Sequence, residues 1–166
     1  MDLGGFHPDG MPENQLRFRG DGETGLMMKF NEKGLRSFYD PRSTAYHIIG
    51  PERMTVEYFC QRAFTQGISD SFTRARAEQG LCDPSSFLPS KPESLPKRLL
   101  KKSFREIFIA TARRASNLIS PRKKDPHELI KREISKAYRR GWYFHLEELK
   151  KHQTLRDYVL KENYLE

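Results

Sequence analysis

Residues 55–80, TVEYFCQRAFTQGISDSFTRARAEQG, are the stretch that decides the fold class of this chain. Thr55 can cap the N-terminus of a helix, since its hydroxyl can accept a hydrogen bond from a backbone amide of the first turn. Apolar side chains follow at helical spacing to about Glu78, and Gly80 is typical of the position just past a helix end. Gly67 inside the helix costs about 1 kcal/mol relative to alanine, so we expect another element to pack closely there. The stretch predicts one long helix.

A second helix is predicted from residue 125 onwards. The tetrapeptide DPHE at 125–128 combines an N-cap aspartate, a proline at the first helical position and an acid three residues after the cap. The helix that it opens has an apolar face made of Ile130, Ile134, Ala137, Tyr138, Gly141 and His145. The aromatic residues 142–144 are assigned to packing. A shorter helix is expected from Thr154 to about Glu162.

Between the N-terminus and the long helix, the sequence predicts one helix and one small β element. The helix is expected over Glu23–Lys33, with Leu26, Met27 and Phe30 on one face. Residues 35–39 and 43–49 read as two short extended segments around a turn at Asp40-Pro41. The predicted fold class is therefore mostly α with a small β element.

The chain is expected to divide into three parts. Residues 1–80 form the first part, and residues 81–96 form a Pro/Ser-rich linker that four prolines keep from forming regular structure. Residues 97–166 form a basic helical extension, whose first helix has an apolar stripe from Phe104 to Ile119.

The net charge of +8 is concentrated in the second half of the chain. Residues 1–90 contain 10 Lys and Arg against 12 Asp and Glu, whereas residues 91–166 contain 20 against 10. This asymmetry fits a phosphate-bearing partner such as nucleic acid, an anionic membrane surface or a nucleotide, and it equally fits solvated helix faces.

Composition indicates a soluble protein of a reducing compartment. No apolar run reaches the roughly 18 residues of a membrane span, and the start of the chain lacks the basic and apolar regions of a signal peptide. The two cysteines, Cys60 and Cys82, have no metal-like or redox-like spacing. We therefore expect a cytoplasmic location, with the inner face of the membrane as a peripheral contact site.

Three groups of residues carry the chemistry of the first part. They are GGF at 4–6 with DGETGL at 21–26, YHII at 46–49 with Arg53, and RAF at 62–64 with Gly67. A carboxylate in the first turn of a helix is rigidly held, and the helix dipole favours its charged form. Imidazole is a suitable ligand for a divalent metal, and arginine can bind a phosphate through two parallel hydrogen bonds.

In these motifs the chain resembles the inverting, nucleotide-sugar-dependent glycosyltransferases of family 2, specifically the C-terminal, acceptor-side part of their GT-A α/β fold. The resemblance implies that Glu23 is the catalytic base and that Asp21 assists it. It also implies that Arg53 contacts a phosphate, that Gly5 and Phe6 bind substrate, and that His47 is the ligand of a manganese or magnesium ion in the intact enzyme.

The resemblance also implies a bacterial-like transferase of polysaccharide biosynthesis, whose partners are a nucleotide-sugar donor and a glycan or lipid-linked acceptor. The family's donor-binding half, a βαβ region ending in Asp-x-Asp, has no counterpart in this sequence. We therefore expect a fragment that is inactive alone. The alternatives are a basic helical module of residues 97–151 that binds nucleic acid, which the absence of a stacking pattern disfavours, and a helical protein-interaction module.

Overall fold

The computed structural model describes residues 3–83 and 125–165, and these residues are helical wherever they have regular structure. The α-helices are α1 (Glu23–Glu32), α2 (Val56–Glu78), α3 (Pro126–Lys151) and α4 (Gln153–Val159). Two short 3-10 helices, Glu13–Phe18 and Pro51–Met54, precede α1 and α2. The chain divides into two compact units, and the contacts described below lie in the unit made of residues 1–89 and 132–166, apart from the hydrogen bond at the start of α3, which lies in the unit of residues 90–131.

The long helix α2 begins and ends where the sequence predicts. The hydroxyl of Thr55 accepts a hydrogen bond of 3.2 Å from the amide of Tyr58, which satisfies one unpaired donor of the first turn. At the other end, the amide of Gly80 donates to the carbonyl of Ala77 over 3.0 Å, so Gly80 closes the last turn. The predicted helix and both of its end signals are confirmed.

Two glycines let the backbones of α2 and α3 approach closely. A Cβ atom on Gly67 would lie 2.1 Å from the carbonyl oxygen of Tyr138, and one on Gly141 would lie 1.9 Å from that of Phe64. Both distances are far shorter than a van der Waals contact, so no larger residue fits either position without separating the helices. This crossing is the close packing that the presence of Gly67 predicts.

The core lies where α2 meets α3 and α4. The fully buried apolar side chains are Ile68, Phe72, Trp142, Leu155 and Val159, each at most 1% exposed. Phe72, Leu155 and Val159 form a cluster that partly buried aromatic side chains surround. The guanidinium of Arg76, 3% exposed, donates to the carbonyls of Val159 and Lys161 over 2.7 and 2.6 Å and so ties the end of α4 to α2.

The predicted β element is wrong for the described residues, which contain no strand. Residues 35–49 are exposed along their whole length, and only the turn is confirmed, where the amide of Ser43 donates to the carbonyl of Asp40 over 3.0 Å. The physical reason is that a strand needs a neighbouring strand for its backbone amides and carbonyls. No described segment provides one, so local β propensity alone does not produce a strand.

The buried face of α1 also differs from the prediction. Met28 is buried, at 3% exposed, and Met27 is 38% exposed. Gly25, one turn before Met28, is buried as well, because the imidazole of His7 packs against its backbone. The helix therefore turns its Gly25–Met28 edge inward rather than the face of Leu26, Met27 and Phe30.

The helices of the C-terminal part begin and end close to the positions that the sequence predicts. The start of α3 is confirmed by a 3.0 Å hydrogen bond from the amide of His127 to the carboxylate of Asp125. The last helix begins one residue before the predicted Thr154 and ends at Val159, three residues before Glu162. Residues 84–124, which contain most of the predicted linker and the predicted helix between Phe104 and Ile119, lie outside the described residues.

Acid should destabilise this unit through His145, a wholly buried residue of α3 whose Nδ1 lies 3.0 Å from the hydroxyl of Ser71. Burial lowers the pKa of His145 from 6.5 to about 4. Between these pH values the unfolded chain binds a proton that the folded chain does not, so stability is complete above pH 6.5 and falls towards pH 4. The expected loss is about 3 kcal/mol at pH 4.

The measurement is urea unfolding of the wild-type chain and of His145→Gln at several pH values between 7 and 4 (the range follows from the two pKa values). Glutamine can still hydrogen-bond to Ser71 but does not titrate, so the variant should lose less stability on acidification. Parallel pH profiles for the two proteins would show that His145 does not control the acid response.

Candidate functional site

A polar cleft of about 590 Å³ lies between α2 and the segment that leads into α1. From α2 the lining side chains are Arg62, Thr65, Gln66, Ser69, Asp70 and Thr73. The opposite wall is made of Asp9, Arg19, Asp21, Glu23 and Thr24, with His47 completing the lining. The α2 positions repeat every three or four residues, so they form one stripe along the helix. The cleft has the size range of a small-molecule site.

Asp21 is held on both of its carboxylate oxygens. One oxygen lies 2.5 Å from Nδ1 of His7, and the other accepts a hydrogen bond from the hydroxyl of Thr73. The side chains of His7 and Asp21 are each 4% exposed. Together with Thr73 on α2, this buried pair joins three separate parts of the chain, because His7 is near the N-terminus and Asp21 precedes α1. Asp21 therefore fixes the backbone that precedes α1.

His7 is enclosed by aromatic and backbone groups. Its ring centroid lies 5.2 Å from that of Phe72 and 5.1 Å from that of Tyr164. A Cβ atom on Gly25 would lie 2.2 Å from Nδ1 of His7, so glycine at this position is a condition for the His7–Asp21 contact. Because Nδ1 faces Asp21, it donates its proton there, and the ring is fixed in orientation.

The backbone at residues 19–20 is also tied to α2. The hydroxyl of Ser69 donates to the carbonyl of Gly20 over 2.7 Å and accepts from Nε of Arg19 over 3.3 Å. Arg19 in turn pairs with the carboxylate of Asp9, and the amide of Gly20 donates to the carbonyl of Pro8 over 2.6 Å. The connection into α1 is thus fixed at three successive residues.

Glu23 is the first residue of α1, and its exposed side chain lines the cleft. The unpaired amides of the first turn favour a negative charge at this position. Asp21, two residues earlier, also lines the cleft, but its side chain is only 4% exposed and accepts one hydrogen bond on each oxygen. Of the two acids in the predicted pair, Glu23 is the one placed to meet a ligand, whereas Asp21 is placed to hold the loop.

The carboxylate that α2 contributes to the cleft lining is that of Asp70. One of its oxygens accepts from the amide nitrogen of Gln66 over 2.7 Å, and the other accepts from the hydroxyl of Tyr138 over 2.7 Å. Burial, together with the hydrogen bond to Asp70, raises the pKa of Tyr138, so its hydroxyl remains a proton donor at neutral pH. Asp70 is 9% exposed and still lines the cleft.

His47 and Arg53 are brought together by the structure. Nη1 of Arg53 lies 3.2 Å from Nε2 of His47, while its Nε donates to the hydroxyl of Tyr58 over 2.9 Å. Arginine always donates, so Nε2 of His47 is the acceptor, and that atom is not free for a cation. Among residues 3–83 and 125–165, no group of three or more His, Cys, Asp or Glu side chains could hold a metal ion. The divalent ion stays a prediction, since the resemblance implies that its carboxylate ligands come from the donor-binding half.

Gly5 and Phe6 are not among the residues that line the cleft. The carbonyl of Gly5 accepts a hydrogen bond of 3.1 Å from the amine of Lys29, and Phe6 is 59% exposed. The structure therefore brings Glu23, Asp21 and His47 to one cleft, with Arg53 beside His47, and leaves Gly5 and Phe6 outside it.

Sequence reasoning missed part of this site. The stripe from Arg62 to Thr73 has polar residues at helical spacing, and that pattern was available as a signal beside the apolar one. His7 had no such signal, because its role depends on a contact with Asp21 across fourteen residues.

No protein-family model matches the chain, and neither a curated protein nor a solved structure matches it. No helix in the described part of the chain is both long enough and apolar enough to cross a membrane.

Proposed function

We propose that the chain is the acceptor-side part of an inverting glycosyltransferase that uses a nucleotide-sugar donor, with Glu23 as its general base. The observation that carries this proposal is the position of Glu23. It is an exposed carboxylate at the N-terminus of α1, lining a polar cleft, on a backbone that Asp21, His7 and Thr73 hold in place.

The chemistry requires one well-placed carboxylate. As the acceptor hydroxyl oxygen attacks the anomeric carbon, its proton moves to a carboxylate oxygen of Glu23. The bond between that carbon and the nucleotide diphosphate breaks on the opposite face, and the electron pair leaves with the diphosphate. One displacement inverts the anomeric configuration. The side chain of Asp21 is only 4% exposed and is held by His7 and Thr73, so it acts as a positioning residue.

The cleft supports an acceptor with several hydroxyl groups. Its walls offer carboxylate, amide, hydroxyl and guanidinium groups, and such groups together can both donate to and accept from sugar hydroxyls. The described residues contain no parallel sheet that could hold a nucleotide. A donor-binding part joined to this one would complete the reaction, and the chain alone would not turn over a nucleotide sugar.

The test is the stereochemistry of transfer. The chain would be joined in frame to the donor-binding half of a family 2 glycosyltransferase and supplied with a panel of nucleotide sugars and saccharide acceptors. Nuclear magnetic resonance of the first-formed product should show the anomeric configuration opposite to that of the donor. Retention of configuration would contradict the proposal, as would turnover by the unjoined chain, which serves as the control.

A further inference from the structure

The carboxylate of Asp70 has spare hydrogen-bonding capacity on the cleft. A carboxylate has about four acceptor sites, and Gln66 and Tyr138 each use one, on different oxygens. Both oxygens therefore retain capacity to accept. Because the side chain lines the cleft, a ligand there can supply the missing donors.

The carboxylate is also held in a fixed orientation. Gln66 is one helical turn before Asp70 on α2, and Tyr138 reaches it from α3. Tyr138 belongs to the crossing where Gly67 allows the two backbones to approach, so the donor comes from a rigid part of the fold. A carboxylate held on two sides loses little freedom when it binds a ligand, which favours recognition of a defined geometry.

We infer that Asp70 is a specificity-determining residue that binds two adjacent hydroxyl groups of a saccharide, one on each carboxylate oxygen. This inference rests on the proposed function in taking that saccharide to be the acceptor. Neutral hydroxyls suit the cleft because its lining mixes four carboxylates with two guanidinium groups, and each hydroxyl can both donate and accept a hydrogen bond. Gln66 adds to the pattern, since its amide oxygen can accept from a neighbouring hydroxyl.

The test measures binding by the full chain without turnover. The probes are the methyl glycosides of glucose, galactose and mannose, each with its deoxy analogues, and glucosamine as the cationic comparison. Saturation-transfer nuclear magnetic resonance should detect at least one methyl glycoside bound to the wild-type chain. Asp70→Asn should weaken that binding roughly tenfold to a hundredfold, the usual effect of losing hydrogen bonds to a charged group.

The structure provides a matched control in Asp157. This exposed aspartate of α4 accepts a 2.8 Å hydrogen bond from Gln153, four residues earlier, as Asp70 does from Gln66. Asp157→Asn should leave saccharide binding unchanged. Tyr138→Phe should weaken binding less than Asp70→Asn, because the carboxylate remains but is held on one side only. Thermal unfolding of each variant identifies loss of fold.

A deoxy series completes the test. Removal of either hydroxyl of the diol should weaken binding to the wild-type chain and have little further effect on Asp70→Asn, since the partner is already lost. The inference is overturned if no methyl glycoside binds, if glucosamine binds more tightly than the glycosides, or if Asp70→Asn binds as the wild type does. Binding that depends on Asp70 in a chain whose joined form transfers no sugar would contradict only the proposed function.

Discussion

Replacement of Glu23 by glutamine is expected to lower the rate of sugar transfer on the order of a hundredfold to ten-thousandfold, the usual contribution of a positioned general base. Glutamine has nearly the same shape as glutamate but cannot take a proton at neutral pH. The side chain is exposed on the cleft, so the substitution should not disturb packing. The measurement is kcat and KM for donor and acceptor, with the chain joined to a donor-binding half.

Glu57→Gln is the matched control for this prediction. Glu57 is also an exposed acid in the first turn of a helix, α2, and it does not line the cleft. The two variants therefore lose the same charge next to the same kind of helix end, and only the cleft variant should lose kcat. Equal losses in both would indicate an effect of helix charge, and turnover by Glu23→Gln at the wild-type rate would exclude Glu23 as the base.

The helices were predictable because their signals are local. Thr55 and Asp125 accept hydrogen bonds from amides two or three residues later, and Gly80 closes the turn that precedes it. Such contacts depend on a few neighbouring residues, so the sequence around them is sufficient. Gly67 predicted close packing because glycine inside a helix is costly, although the backbone that it meets, at Tyr138 and Trp142, could not be identified from sequence spacing.

The two wrong predictions, the β element and the buried face of α1, depend on contacts between residues that are far apart in the sequence. Residues 43–49 have the composition of a strand, but a strand forms only against a partner, and the described residues provide none. The buried face of α1 differs from the prediction because the approach of His7 to Gly25 decides which edge of the helix turns inward. Neither contact leaves a pattern within the helix or the extended segment itself.

In the candidate site, too, local features are predictable from the sequence and contacts between distant residues are not. The position of Glu23 in the first turn of α1 is a local property, and the sequence predicts it. The different environments of Asp21 and Glu23 depend on His7 and Thr73, which are 14 and 52 residues from Asp21. Spacing alone therefore leaves two acids as candidates, and the tertiary contacts distinguish the buried Asp21 from the exposed Glu23.

Substitution of Asp21 by alanine should cost about 1–3 kcal/mol of folding stability, the penalty for leaving a buried hydrogen-bond donor without its acceptor. Alanine would leave Nδ1 of His7 buried without its acceptor, whereas the hydroxyl of Thr73 can still donate to the carbonyl of Ser69 over 3.2 Å. Chemical denaturation would measure the loss. Asp40→Ala is the control, because Asp40 pairs with Arg42 over 3.0 Å on the surface, and its removal should leave stability unchanged.

A double-variant cycle separates the pair from its surroundings. His7→Phe removes the imidazole, so the combined variant His7→Phe/Asp21→Ala should be more stable than the sum of the two single losses predicts. Phenylalanine can keep the aromatic contacts with Phe72 and Tyr164 while requiring no acceptor. Strict additivity would mean that the 2.5 Å contact contributes nothing specific. Recovery of stability in the double variant without recovery of sugar transfer would separate the two roles of this contact, since a stable fold can still leave the loop before Glu23 free to move.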